Sequence, residues 1–125
     1  MFYLTRFVVP EINRSFARNS HDDGFLRFLR EHDCLQARTL PTAWVAAMAD
    51  CQERFAEAAQ SEVLGQIIQG TNDGTVDWRE NLPLIREKFP AGRVHLLENA
   101  KHHLVNESAV FQKLLFARLA GIISS

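Results

Sequence analysis

The sequence has few cysteines and no concentration of positive charge, and each shortage excludes a class of protein. Only two cysteines occur among 125 residues, Cys34 and Cys51, and their spacing suits neither a disulfide framework nor a metal site. We therefore expect two reduced, partly buried thiols in a cytoplasmic protein with no metal ion and no organic cofactor. The net charge is −1 and no block of Lys and Arg exceeds two residues, so a nucleic-acid partner is not expected.

Long apolar runs are also missing. The partly apolar segment Met1–Pro10 is interrupted by Arg6 and is far shorter than the roughly 20 residues that a membrane-spanning helix needs. No small-residue cleavage site follows it, so we do not expect a signal peptide. An integral membrane segment is therefore not predicted.

Residues 1–60 carry mainly helical patterns. Polar capping residues precede an amphipathic helix predicted over about Asp22–Glu31. Pro41 suits the first turn of a second helix, about Thr42–Gln60, in which apolar residues recur at three- and four-residue steps. The pattern in Met1–Asn19 does not distinguish a helical arm from an irregular one.

Residues 61–125 alternate between strand and helix patterns. Two short apolar runs predict buried strands over Val63–Gln69 and Arg93–Glu98. A helical pattern follows each strand, over about Asn81–Lys88 and Glu107–Ala120. Because a crossover helix joins the two strands, we expect them to be parallel. The predicted fold class is therefore α/β, with two parallel strands and flanking helices preceded by a helical segment.

The predicted start of the first of these helices depends on two opposing features. Asp77 and Glu80 have the three-residue spacing of a helix cap. Pro83 removes one hydrogen bond from a helix interior and clashes with the preceding turn. Placing Pro83 in the first turn reconciles them, so we predict a start near Asn81 and a capping role for Asp77. Asn106 is the predicted cap of the last helix.

Asp73 and His102 each follow a predicted strand. The carboxyl ends of parallel strands meet at one edge of an open sheet, where ligands bind in α/β proteins. An acid placed there can fix the tautomer of an imidazole, which can then take the proton of a hydroxyl group. By itself, however, this pattern is more typical of a turn-forming aspartate and a surface histidine.

The residues around Asp73 and His102 favour a catalytic pair over a turn-forming aspartate and a surface histidine. Residues 69–77 read Gln-Gly-Thr-Asn-Asp-Gly-Thr-Val-Asp, and residues 100–107 read Ala-Lys-His-His-Leu-Val-Asn-Glu. These loops resemble the α/β-hydrolase superfamily, and in particular its monoglyceride-lipase and lysophospholipase-like serine hydrolases. The resemblance implies that Asp73 is the acid and His102 the base of a Ser-His-Asp triad.

His103 is the alternative base. The five-residue step from His102 to Glu107 fits the family loop better than the four-residue step from His103. The resemblance extends weakly into the first half, where residues 16–22, 33–37 and 41–45 resemble the cap segment that these enzymes insert before their last strands. It implies a partial α/β-hydrolase fold with a cap-like segment over 1–60 and a βαβα portion over 61–125.

Two parts of the hydrolase machinery are not found in the sequence. The nucleophile of this superfamily lies in Gly-x-Ser-x-Gly on a strand–helix turn, and none of the six serines lies between glycines. A His-Gly type oxyanion loop is also missing. Asn19–Asp22 contains serine, histidine and aspartate, but neighbours on one turn cannot adopt triad geometry, so a helix cap is predicted. We therefore expect the chain to correspond to the cap and the last two strand–helix units of a longer hydrolase.

Three functional interpretations remain open. The first is a carboxylic ester hydrolase for a small ester or lipid-like substrate, with activity that is weak or completed in an oligomer. The second is a catalytically inactive hydrolase fragment, and the third is a protein-interaction module. Because two strands leave an apolar sheet edge open, we expect a homodimer or higher oligomer through that edge. Five apolar residues either line an acyl pocket or, more simply, pack in the core: Phe25, Phe28, Trp44, Met48 and Phe55.

Overall fold

The computed structural model of the protein describes residues 10–15 and 17–124, and predictions that concern residues 1–9, 16 or 125 lie outside the described residues. The fold is mixed α/β, with one antiparallel and one parallel pair of strands. In chain order the elements are β1 (Glu11–Asn13), α1 (Asp23–Glu31), β2 (Thr39–Pro41), α2 (Thr42–Glu57), β3 (Gln66–Gly70), α3 (Trp78–Lys88), β4 (Arg93–Leu97), a 3₁₀ turn (Leu104–Asn106) and α4 (Ala109–Ile123).

The chain forms two compact units. Among the described residues, the first unit contains 10–15 and 33–59, and the second contains 17–32 and 60–124. Residues 17–32 therefore pack with the strand–helix portion, which corrects the prediction that they belong to the cap-like segment. Every residue of the candidate site belongs to the second unit.

The first unit is a short antiparallel ladder followed by a helix. β1 pairs with β2, and the backbone N–H of Thr42 donates to the carbonyl oxygen of Pro10 at 2.9 Å. Pro41 stands immediately before α2, so the prediction of a helix start at Thr42 is confirmed. On this helix Trp44 and Met48 are exposed, which contradicts the prediction that they are core residues.

The second unit is built on the parallel pair β3 and β4, as predicted. Gln66 is paired with Arg93 and Gly70 with Leu97, so the two strands end at the same level. The helix α4 covers one face of the pair. Its buried Leu115 forms the core with Leu97, which ends β4, and Ala100, which follows it. Further apolar residues are partly buried and pack around this core: Ile68, Leu104, Phe111 and Leu119.

Two predicted boundaries in this unit are wrong. The strand β3 begins at Gln66, and the preceding Val63 and Leu64 are exposed instead of buried. The helix α3 begins at Trp78 and not near Asn81, with Pro83 in its interior. Its first turn forms because the Asp77 side chain accepts a hydrogen bond from the Glu80 N–H, as the capping pattern predicted.

The end of the chain differs in detail from the prediction. Asn106 lies in the 3₁₀ turn, and Ser108 occupies the position before α4. Val110 and Leu114 of this helix are exposed, while Leu115 is buried.

Three further side chains are more exposed than predicted. Cys34 and Cys51 are free and exposed, which corrects the expectation of partly buried thiols. Phe28 is 51% exposed, so it is not a core residue either. Within the described ranges, no helix has both the length and the continuous apolar character that crossing a bilayer requires.

Candidate functional site

The candidate site lies where β3 and β4 end. The backbone N–H of Thr71 donates to the Leu97 carbonyl at 3.0 Å, and that of Asn72 donates to the Ala100 carbonyl at 2.9 Å. These bonds extend the contact between the strands by two residues beyond the ladder. They bring the loop that carries Asp73 against the loop that follows β4.

Gly70 allows this close approach. A Cβ atom at position 70 would lie 2.6 Å from the Lys101 carbonyl oxygen and nearer still to that of Ala100. Both obstacles are backbone atoms, which cannot rotate away as a flexible side chain can. The glycine that closes the apolar run of β3 is therefore required by the path of the second loop and not only by a turn.

Asp73 and His102 meet across these loops. His102 Nδ1 lies 2.9 Å from Asp73 Oδ2. The Asp73 side chain is 3% exposed and that of His102 is 36% exposed, so a buried acid contacts a partly exposed imidazole. Because a carboxylate only accepts, this contact favours the form in which Nδ1–H donates to Asp73.

Four groups donate hydrogen bonds to the Asp73 carboxylate. Besides His102, they are the Thr75 N–H at 2.8 Å, the Gln69 amide at 3.1 Å and the Val76 N–H at 3.3 Å. Burial by itself raises the pKa of the Asp73 carboxyl, but the hydrogen bonds, with that of His102 foremost, outweigh it and hold the pKa below its ordinary value of 3.8. Asp73 is therefore a charged acceptor in a fixed orientation.

His103 is oriented differently from His102. Its backbone N–H donates to the Asn19 carbonyl at 3.0 Å, and its ring lies edge to face against Phe25 at 5.3 Å between centroids. The structure therefore places His102 against Asp73, and it places His103 against Asn19 and Phe25. Asp77, the other acid of the first loop, caps α3.

No hydroxyl group is bonded to His102 within the described residues. The serine with the most suggestive neighbours in the sequence, Ser20, is fully buried, and its hydroxyl donates to the Asn106 carbonyl at 2.7 Å. The same oxygen accepts from the Asp22 N–H at 2.9 Å. Asp22 in turn caps α1 by accepting from the Phe25 N–H, as the capping interpretation predicted. Both roles of the Ser20 hydroxyl are thus structural.

A second buried carboxylate lies beside the pair and was not identified from the sequence. Glu107 is 0% exposed and accepts from the backbone N–H groups of His21 at 2.8 Å, Lys101 at 2.8 Å and Ser108 at 3.0 Å. It also lies 3.0 Å from His21 Nδ1. Burial raises the pKa of the Glu107 carboxyl, but the hydrogen bonds outweigh it and lower the pKa below its ordinary 4.5. The five-residue step from His102 was the only hint of this position.

The two lowered pKa values predict a loss of stability in acid. The pKa values of Asp73 and Glu107 are lower in the folded chain than their ordinary 3.8 and 4.5. The contribution of these groups to the free energy of unfolding is therefore full above the ordinary values and is lost as the pH falls towards the lowered ones. Urea unfolding between about pH 7 and about pH 3 measures it. Glu107→Gln should flatten the dependence, and an unchanged dependence would contradict this assignment.

The part of the chain that the structure describes contains no group of three His, Cys, Asp or Glu side chains arranged to hold a metal ion. Comparison with protein-family models, curated proteins and solved structures gave no match. The site is therefore interpreted from its own geometry.

Proposed function

We propose that Asp73 and His102 are the acid and base of a carboxylic ester hydrolase of the α/β-hydrolase type. The observation that carries the proposal is the 2.9 Å contact between a buried, charged carboxylate and Nδ1 of a partly exposed imidazole. This contact holds the neutral imidazole in the tautomer that a general base requires. The strand–loop–helix arrangement of residues 66–123, with both groups at strand ends, supports the assignment to that fold.

The reaction requires a hydroxyl group near Nε2 of His102. Nε2 takes the proton as the hydroxyl oxygen attacks the ester carbonyl, and the imidazolium then returns the proton to the departing alkoxide. Asp73 stabilises the imidazolium during this step. Water serves as the attacking hydroxyl in the weak hydrolysis of activated esters. A serine hydroxyl supplied across an oligomer interface would raise the rate by forming an acyl intermediate.

The substrate class is a small or lipid-like ester, and the proposed location is the cytoplasm. Since no oxyanion donors are assigned in the described residues, activated esters with good leaving groups are the appropriate test substrates.

Replacing Asp73 tests the proposal directly. Asp73→Asn keeps the size of the side chain but removes the charged acceptor of the Nδ1–H bond, so hydrolysis of p-nitrophenyl acetate and butyrate should fall on the order of 10²-fold, the lower end of what general-base catalysis contributes. Asp77→Asn is the matched control, because asparagine also caps helices well and this variant should keep its activity. An unaltered chain without hydrolysis above the buffer rate, or equal losses in both variants, would contradict the proposal.

The open edge of β3 supports a proposed homo-oligomer. Among the described residues β3 pairs with β4 alone, and the apolar Val63 and Leu64 next to it are 62% and 75% exposed. Unpaired strand edges with adjacent apolar surface recruit another chain. A second copy seated on this edge would cover both side chains.

Light scattering at micromolar concentration checks the oligomer. We expect a dimer or larger species, and Leu64→Lys should shift it towards the monomer, because a charged side chain blocks edge pairing. Glu62→Lys is the matched control, since residue 62 is already polar and exposed. A monomeric unaltered chain would contradict this part of the proposal, and binding of a different polypeptide at the edge would favour an interaction module instead.

A further inference from the structure

Glu107 lies beside the proposed base without touching it. Its Oε1 atom accepts the backbone N–H of Lys101, the residue immediately before His102. Its Oε2 atom accepts the backbone N–H of His21, a residue 86 positions away in the chain. One carboxylate therefore joins the loop after β4 to the segment that leads into α1.

The residue after His102 is held by the same segment. The His103 N–H donates to the Asn19 carbonyl at 3.0 Å, and Lys101 Nζ approaches the Ser20 carbonyl at 3.4 Å. Both chain neighbours of His102 are thus held through their backbone N–H groups. His103 donates to Asn19, and Lys101 donates to Glu107, which in turn accepts from His21. The loop that carries Asp73 is fixed separately, because the Asn72 N–H donates to the Ala100 carbonyl.

We propose that Glu107 is a positioning residue for His102. Its carboxylate fixes the backbone of Lys101. On one side of Lys101 lies Ala100, whose carbonyl holds the loop that carries Asp73, and on the other side lies His102. The position of Lys101 therefore sets the distance from His102 Nδ1 to Asp73. Complete burial of Glu107 supports this role, because a buried carboxylate is retained only where donors surround it, and here three backbone N–H groups do so.

His21 completes the arrangement from the other side. Its Nδ1 atom lies 3.0 Å from Glu107 Oε1, and its ring stacks on Phe111 of α4 at 5.0 Å between centroids. The carboxylate therefore cannot turn away from Lys101 without losing its contacts to His21. The segment before α1 thus forms part of the support of the proposed catalytic pair.

This inference rests on the proposed role of His102, but its test does not require ester hydrolysis. Histidine-selective ¹⁵N NMR of the full chain reports which ring nitrogen of His102 carries the proton. His102→Ala assigns the signal among the five histidines. In the unaltered chain we expect the Nδ1–H form, and in Glu107→Ala the share of that form should fall about twofold or more, because the loop no longer holds the ring against Asp73.

Two variants separate positioning from plain stability. Glu107→Asp keeps the charge but is too short to reach Lys101 and His21 together, so it should also lower the share of the Nδ1–H form, and it decides the question if Glu107→Ala does not fold. Leu82→Ala removes a buried side chain from α3, so it should lower the unfolding midpoint and leave the His102 tautomer unchanged.

An unchanged His102 signal in a folded Glu107 variant would overturn the inference, as would an equal change in Leu82→Ala. These outcomes are independent of esterase activity. A chain without hydrolysis can still show the dependence of His102 on Glu107, and an active chain can lack it.

Discussion

Gly70→Ala should lower the free energy of unfolding by about 3 kcal/mol or more, at the upper end of what one added methyl group costs in a packed interior. The added carbon would lie 2.6 Å from the Lys101 carbonyl oxygen and closer to that of Ala100. Relief requires the loop after β4 to move, and this loop carries His102. The substitution should therefore reduce ester hydrolysis as well as stability.

Gly74→Ala is the matched control for this change. It lies in the same loop as Asp73, and no atom lies within 4 Å of the position that its Cβ would take. Its effect on the free energy of unfolding should stay within about 0.5 kcal/mol, with a small gain from the less flexible unfolded chain. Urea denaturation of both variants measures the difference. Equal stabilities would show that the two loops do not approach each other as described.

His102→Ala should reduce the hydrolysis of p-nitrophenyl esters to the buffer rate. The proposed mechanism has one proton acceptor, and general-base catalysis is typically worth about 10²–10⁴-fold. Folding should survive, because the His102 side chain is more than a third exposed and its backbone contacts remain. Circular dichroism and the unfolding midpoint establish that the variant is folded before its rates are compared.

His103→Ala is the control for the loss of an imidazole from the same loop. The His103 ring lies against Phe25 and makes an edge contact with His102 at 5.5 Å, whereas the bond to Asp73 described above is made by His102. Most of the activity should therefore remain. Full loss in His103→Ala with retention in His102→Ala would reverse the assignment of the base.

The sequence is sufficient to predict the parallel pairing of β3 and β4 and the contact between the two loops that follow these strands. Short apolar runs closed by Gly70 and by the turn at Asn99 indicate where the strands end, and Asn99 adopts a left-handed backbone with φ of 62°, which asparagine tolerates. Parallel pairing then places Asp73 and His102 at one edge without any further information. The catalytic role of the pair remains a prediction.

The contacts that hold the loop of His102 against residues 19–21 could not be predicted in the same way. The bonds from Ser20 to Asn106 and from His21 to Glu107 each span 86 positions, and no periodic pattern links two segments so far apart. The sequence therefore predicts residues 17–32 as part of the cap-like segment, and the structure places them with the strand–helix portion. The start of α3 differs from the prediction for another reason: the unfavourable effect of an interior Pro83 predicts a later start than the capping signal of Asp77, whereas the folded helix contains both.

The tautomer of His102 at neutral pH tests the central claim most directly. Histidine-selective ¹⁵N NMR of the unaltered chain and of Asp73→Asn distinguishes protonation at Nδ1 from protonation at Nε2. We predict the Nδ1–H form in the unaltered chain and a shift towards the Nε2–H form in Asp73→Asn. An unaltered chain with the proton on Nε2, or a His102 signal that does not respond to Asp73→Asn, would contradict the account.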